Sequence, residues 1–557
     1  MSQKHSRLYP TIRPLVAKSI DGIVFKNDTL IALDSRNGYL LQVNPFNNDT
    51  RIVNHSFWED FIGARGLSLT PHQLWFTCQE YIYHCEIEWQ GGKLTLTTKP
   101  RICFSIPYPA NGIAILDKTV YITSERAGYI YVYSLEGEMI TKFNAPGVGV
   151  ENITVRGNEL WVCDNIEQTV YCMDRATGET KYSIITPFEH PSALGFLRDS
   201  KTAHHVLYVA YSDQEPYIRD NPNSDPSHEL AYRPRTFIHP LYFKYFPDNK
   251  YTLSNGFLIE MTYLEEISPL DYVTLKDVEW RIALPTESPR QRVKNIEPVG
   301  IPFVIEEYEG QKVALFRFPE LNPHSRHIFG WRAILEVWSI KYQYRPLDCE
   351  NLPPLPPEYE DKYLIDDDNL AMSTDIVLRA AEEAGGNETN ILRKMYNIRN
   401  YVYDHLRYGM KSYIDPPDIV LKRGVGSCGE YLGVLLALSR LNGIACRTVG
   451  RYKCPRQQVL HFGVPLIPQF NHVWMEFYLP GIGWLPMESN PDDIEDCVAY
   501  PSRFFMGLAW YHMEMAKDVP FETLKSEGEY VSREVTTIGR LAINHIYFTI
   551  LEELPPY

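Results

Sequence analysis

The 557-residue sequence contains no run of about 18 apolar residues, so no helix is expected to cross a membrane. Its start, Met1-Ser-Gln-Lys-His-Ser-Arg-Leu8, is charged and is not followed by the apolar stretch of about 7–15 residues that marks a secretory signal. The cytoplasm is therefore the expected compartment. Cysteine is sparse: ten residues lie far apart between Cys78 and Cys497 without a CxxC pair, so neither a disulfide scaffold nor a zinc ribbon is expected. Basic charge is also in deficit. Against 70 Asp and Glu stand 54 Lys and Arg, a net −16, whereas neutralising a phosphate backbone requires clustered cations. Nucleic acid and membrane are thus not expected partners, and no metal or cofactor is indicated. What is present is ordinary globular composition, 44% hydrophobic and 22% charged, in a chain long enough for three or four domains.

The first 262 residues repeat. Asp21-Gly-Ile-Val-Phe…Leu30-Ile-Ala-Leu-Asp34 aligns with Asn111-Gly-Ile-Ala-Ile…Val120-Tyr-Ile-Thr-Ser124 and with Glu151-Asn-Ile-Thr-Val…Leu160-Trp-Val-Cys-Asp164. Arg65-Gly-Leu-Ser-Leu…Leu74-Trp-Phe fits the first half, and a weaker copy begins near Ser192. Gly22, Gly66, Gly112 and Asn152 anchor the copies at steps of 44, 46 and 40 residues. Short β-rich runs separated by turn signals such as Asn37-Gly38, at a period of about 40–45, predict the blades of an all-β propeller. The segment resembles the loosely related NHL and quinoprotein-like propellers and lacks the dipeptide signatures of WD or kelch repeats. Six blades ending near Met261 are expected, with a binding or positioning role.

From 263 to 347 the pattern alternates: Val278, Trp280, Ile282 and Leu284 share one face, Val313 and Leu315 follow, and Trp331 to Tyr342 adds a strand. This predicts a β-sandwich. Residues 348–368, with Leu352-Pro-Pro-Leu-Pro-Pro-Glu358 and Asp366-Asp-Asp368, read as a stiff, acidic, solvated linker.

Past 369 the period becomes helical. Ile391, Met395, Ile398 and Val402 share a helix face, with Asn387 and Thr389 as candidate caps. In Gly424-Val-Gly-Ser-Cys428-Gly-Glu-Tyr-Leu432 the cysteine opens a helix, a position where the helix dipole and unpaired N–H groups favour thiolate. Strands are expected over Ile444 to Gly450, over Asn471-His472 to Leu479, and from Trp484 through Glu488. A cysteine at a helix start, then a histidine and a carboxylate on successive strands, is the order of a thiol triad: the histidine takes the thiol proton and the carboxylate fixes its tautomer. The register decides whether this works. A two-residue loop would set Glu488 opposite Met475, away from His472; a three-residue loop, Pro480-Gly481-Ile482, pairs Leu479 with Gly483 and brings Glu488 to the histidine face. The second register is expected. Asp492, Asp493, Glu495 and Asp496 read as a solvated acidic loop.

The strings GVGSCGEY, LNGIACRTVGRY and NHVWMEFYLPGIGWLPMES resemble the transglutaminase-like superfamily of papain-related thiol enzymes, over about Asn369 to Tyr500. The sandwich resembles the β-domain that often precedes this fold in bacterial members. The resemblance implies an α+β transglutaminase-like (papain-like) domain over 369–557, the last part an extension, and a Cys-His-Asp triad that falls on Cys428, His472 and Glu488, with Glu in place of the usual Asp. It implies an acyl-enzyme on Cys428 formed from a protein or peptide substrate, with water or an amine as acceptor. The backbone N–H of Cys428, Tyr408 and Trp474 are candidate oxyanion donors. The alternative function is a scaffold that has lost turnover and binds proteins through its propeller.

Overall fold

The computed structural model describes residues 8–199, 204–217, 221, 223, 232–268, 272–367, 369–411, 413–457, 460–494, 499–517 and 519–557. They fall into two compact units, Met1–Tyr245 with Asp496–Ser502, and Phe246–Glu495 with Arg503–Tyr557.

The first unit is built from five antiparallel sheets whose opening strands are Ile20–Lys26, Arg65–Leu69, Gly112–Leu116, Val150–Arg156 and Pro191–Arg198. Each opening strand lies beside the next, and Pro191–Arg198 lies beside Ile20–Lys26. The anchor glycines sit where these strands meet most closely. A Cβ on Gly22 would come within 2.9 Å of the Gly66 backbone, and one on Gly66 within 2.7 Å of Gly112, so only glycine fits. Apolar layers fill the gaps between sheets: Ile31, Leu33 and Leu40 with Leu67, Leu74 and Phe76, then Ala114 and Tyr121 with Ile153 and Leu160. Ile23, Leu30 and Ala32 pack with Ala193, Leu197 and Ile238. The fifth sheet has three strands, and Ile12 adds to its edge by exchanging backbone hydrogen bonds of 2.7 and 2.8 Å with Ile238. A sixth sheet before Met261 is absent among the described residues. Tyr251–Ile267, which runs through that expected end, instead pairs with His327–Tyr342 and Ala542–Leu554 of the second unit. The expected boundary at 262/263 therefore cuts a strand.

In the second unit, two sheets stack through Trp280, Phe316 and Phe318 on one and Tyr263, Phe329 and Trp331 on the other, with Trp280 and Phe329 ring centroids 5.2 Å apart. These sheets extend beyond 263–347. Glu522–Ser526 pairs with Leu275–Ala283, and Ala542–Leu554 is an inner strand, so most of the expected extension of the thiol domain belongs to the sandwich.

The linker is also more than a spacer. Pro357–Tyr363 forms helix α1, whose Tyr359 and Tyr363 rings pack on Trp484 at 5.9 and 4.9 Å. Asp366 accepts the N–H groups of Leu370 and Met372, and Asp367 pairs with the buried Arg440. Asp368 lies outside the described residues. Helices α2 (Asp375–Gly385), α3 (Ile391–His405) and α4 (Pro417–Arg423) surround α5 (Cys428–Leu441). The cap of α3 is Asn390, not Asn387 or Thr389, with its side chain accepting the Arg393 N–H at 3.2 Å. Helix α5 is apolar almost all round because helices cover one side and a three-stranded sheet, Cys446–Arg451, His472–Leu479 and Gly483–Met487, the other. Its buried Val434, Leu435, Leu436 and Leu438 each contribute about 1.5–3 kcal/mol.

Candidate active site

The start of α5 is fixed by charge. Glu430, buried, accepts the Ser427 N–H at 2.8 Å on one oxygen and the Arg423 guanidinium at 2.8 Å on the other. Gly424 ends α4 in the left-handed region, φ +70°, and lets the chain turn straight into Val425–Gly426. This short strand pairs with Arg407–Tyr408, which brings Tyr408 close enough to Cys428 to feel its charge.

Cys428 is half-buried and free. Burial pushes its thiol up and the Glu488 charge adds to that, while the N–H groups of Gly429 and Val473 and the Lys453 ammonium oppose it. The expectation of a thiol depressed by the helix dipole is thus reversed, because desolvation of the sulfur outweighs the helix start.

The hairpin adopts the three-residue loop. Leu479 pairs with Gly483 and Met475 with Met487. The Ile482 N–H donates to the Leu479 carbonyl at 2.9 Å across Pro480-Gly481, and Gly481 has φ +77°. Proline followed by a left-handed glycine makes a type II turn. The left-handed residue is therefore Gly481, and Ile482 avoids it.

This register sets Glu488 against His472. Nε2 of His472 lies 2.9 and 2.8 Å from the two carboxylate oxygens. Burial opposes the Glu488 charge, but His472 and Lys453 hold its carboxyl well below the usual range. An ionised carboxylate only accepts, so the His472 proton sits on Nε2 and Nδ1 carries the lone pair. Burial pushes His472 down, against the Glu488 charge, which keeps the ring neutral near pH 7. Cys428 and His472 share no direct hydrogen bond; the Cys428 sulfur takes the N–H of Val473, the residue after His472, and lies in the field of Glu488, which His472 contacts.

Three residues at the site were invisible to the sequence reading. Lys453 reaches Glu488 at 3.0 Å, and His512 Nε2 reaches it at 2.5 Å. Arg290, buried in the sandwich, donates to the carbonyls of Trp338, Ala509 and His512 at 2.8–2.9 Å and so shapes the segment that carries His512. Nothing in the spacing marks His512, which lies 40 residues beyond His472 in an aromatic stretch. Trp474 is fully buried and meets His512 edge-on. Asp492 is not solvated: buried, it accepts from Arg503 Nε at 2.9 Å and the Phe504 N–H at 3.0 Å, and Asp493 accepts from Tyr431 at 2.5 Å. Glu495 and Asp496 lie outside the described residues.

His472 lines a cavity of about 590 Å³ with Tyr408, Lys453, Arg456, Ile467, Phe470 and Arg503. Among the described residues no cluster of His, Cys, Asp and Glu is arranged to hold a metal ion, and no helix is long and apolar enough to cross a membrane.

The model of the transglutaminase-like superfamily matches residues 379–489, from within α2 to Ser489. This part of the chain is a transglutaminase-like domain. Comparison with curated protein sequences returns no match. Among solved structures, a protein from Cytophaga hutchinsonii provisionally described as a cysteine protease is similar at 13% identity and a TM-score of 0.38, over 54% of this chain and 93% of that one. A glutaminyl cyclase from Myxococcus xanthus is similar at 10% identity and a TM-score of 0.29, over 42% of this chain and 96% of that one. The transglutaminase-like domain thus contains all three residues of the expected triad.

Proposed function

We propose that the transglutaminase-like domain is a cysteine-dependent enzyme of amide or peptide bonds, and the observation that carries this is the His472–Glu488 pair, whose carboxylate and Val473 N–H act on the cysteine that opens α5. The resting pair is a neutral thiol and a neutral imidazole. As the Cys428 sulfur attacks the substrate carbonyl, its proton passes to the Nδ1 lone pair of His472, and Glu488 stabilises the imidazolium. Collapse of the tetrahedral intermediate breaks the C–N bond, the leaving amine takes the imidazolium proton, and a thioester remains on Cys428. Water or a primary amine, deprotonated by His472, then releases the acyl group and restores the thiol.

The mixed apolar and basic cavity suits a peptide segment. The five sheets of the first unit support a five-bladed propeller, its N-terminal segment completing the last blade, that positions a protein or peptide partner.

The test incubates a peptide mixture with the protein, with and without a tagged primary amine. Cleavage alone identifies a peptidase or amidase, and tag incorporation a transferase. Cys428→Ala and His472→Ala should each abolish both, since members of one catalytic unit fail almost completely and non-additively. Full activity in either variant contradicts the proposal. No reaction by the native protein, together with selective protein capture by the first unit, favours the scaffold.

A further inference from the structure

His512 is fully buried, its ring enclosed by Trp474, Phe504 and Tyr511, and both of its nitrogens face acceptors. Nε2 lies 2.5 Å from Glu488 Oε1 and Nδ1 lies 3.0 Å from the Ala509 carbonyl. Burial pushes the ring down to about 3, against the pull of Glu488, so it is neutral and carries one proton. Hydrogen bonds to charged acceptors are about twice as strong as neutral ones, so that proton belongs on Nε2, directed at Glu488.

The contacts divide the carboxylate. Oε1 receives His512, Lys453 and His472, while Oε2 receives His472 and the Ser489 N–H at 3.1 Å. A glutamate has three side-chain torsions to fix, and a misplaced base-orienting group is costly in rate. Of the three donors at Oε1, His512 comes from outside the family-matched span, on a segment held by Arg290 from the sandwich. We infer that His512 is a positioning residue: as a neutral donor it locks the Glu488 carboxylate in the plane that orients His472, so the sandwich-linked C-terminal segment completes the thiol site. This rests on the reading of His472 as the base for Cys428.

The experiment measures the iodoacetamide alkylation rate of Cys428 in the full chain, resolved from the other cysteines by peptide mass spectrometry. In that reaction the S–C bond forms, iodide leaves, and the thiol proton passes to His472. His512→Phe should slow labelling by about 10- to 100-fold. His512→Gln, which keeps an N–H near the ε position, should restore most of the rate. In a Glu488→Gln background, His512→Phe should add no further loss. Loss that is additive with Glu488→Gln, or equal in the Phe and Gln variants, would overturn the inference, as would no loss at all. Should the Phe variant not fold, His512→Asn takes its place, since its amide is too short to reach Glu488 and the same pattern is expected. His472→Ala is the control for the underlying reading: if it labels at the native rate, His472 is not the base and the inference falls with it, whereas a slow control beside a native-like His512→Phe defeats the positioning role alone.

Discussion

Five contacts surround the Glu488 carboxylate, and in the proposed mechanism they let it stand where the family usually carries the shorter Asp. The pair of His472 and Glu488 was legible in the sequence once the hairpin was counted, since period-two alternation allowed only one of the two simple loops. The thiol's electrostatics were not legible. A helix start predicts an easily ionised cysteine, but how far the sulfur is desolvated depends on residues remote in sequence, and the structure reverses the direction. In the proposed mechanism the rate therefore rests on proton transfer to His472 during attack, not on a standing thiolate. Glu488→Gln keeps the size of the side chain while removing the charge that stabilises the imidazolium and fixes its tautomer and orientation. It should lower kcat/KM by about 10- to 10⁴-fold, measured on whichever peptide the native protein processes.

At the scale of elements, the sequence shows types better than ownership. The alternating face of Val278, Trp280, Ile282 and Leu284 is buried, and the helix face of Met395, Ile398 and Val402 is buried too. Periodicity is a property of one segment, however, and cannot say which sheet a strand joins. Tyr251–Ile267 continued the β-rich run before it, yet lies between His327–Tyr342 and Ala542–Leu554. Three of the repeat anchors were legible for a physical reason, since at Gly22, Gly66 and Gly112 the next opening strand comes too close for a Cβ. A deletion ending at Leu264 removes most of an inner strand and should give an insoluble fragment. One ending at Tyr245 keeps the strand and should give a soluble fragment with a cooperative melt. Solubility and thermal unfolding of the two fragments, expressed side by side, check this, and equal behaviour would refute the boundary.

Over the whole second unit, sandwich and thiol sheet share a buried chain of charges. Glu514 pairs with Arg290 at 3.2 Å and Lys517 at 2.6 Å, and Lys517 also meets Glu476 at 2.8 Å. Burial works against the Glu514 charge, yet Lys517 and Arg290 outweigh it and hold the carboxyl at about 2, below the usual 4.5. A depressed folded-state value means that the unfolded chain binds the proton more readily at acid pH. The stabilisation is complete above about pH 4.5 and is lost as the pH falls toward 2. Glu514→Gln takes from buried Arg290 its carboxylate partner and from Lys517 one of two, and should cost about 3–5 kcal/mol near pH 7, with a flatter acid limb in a series of melts from pH 7 to 3. In the proposed function Cys428 is the cysteine served by a base. Its most direct test is the relative iodoacetamide reactivity of all ten cysteines in the native chain at pH 7.5 and in His472→Ala. Cys428 labelling well ahead of the others, with that lead lost in the variant, is the predicted result; a Cys428 no faster than its buried counterparts, or indifferent to His472, would contradict it.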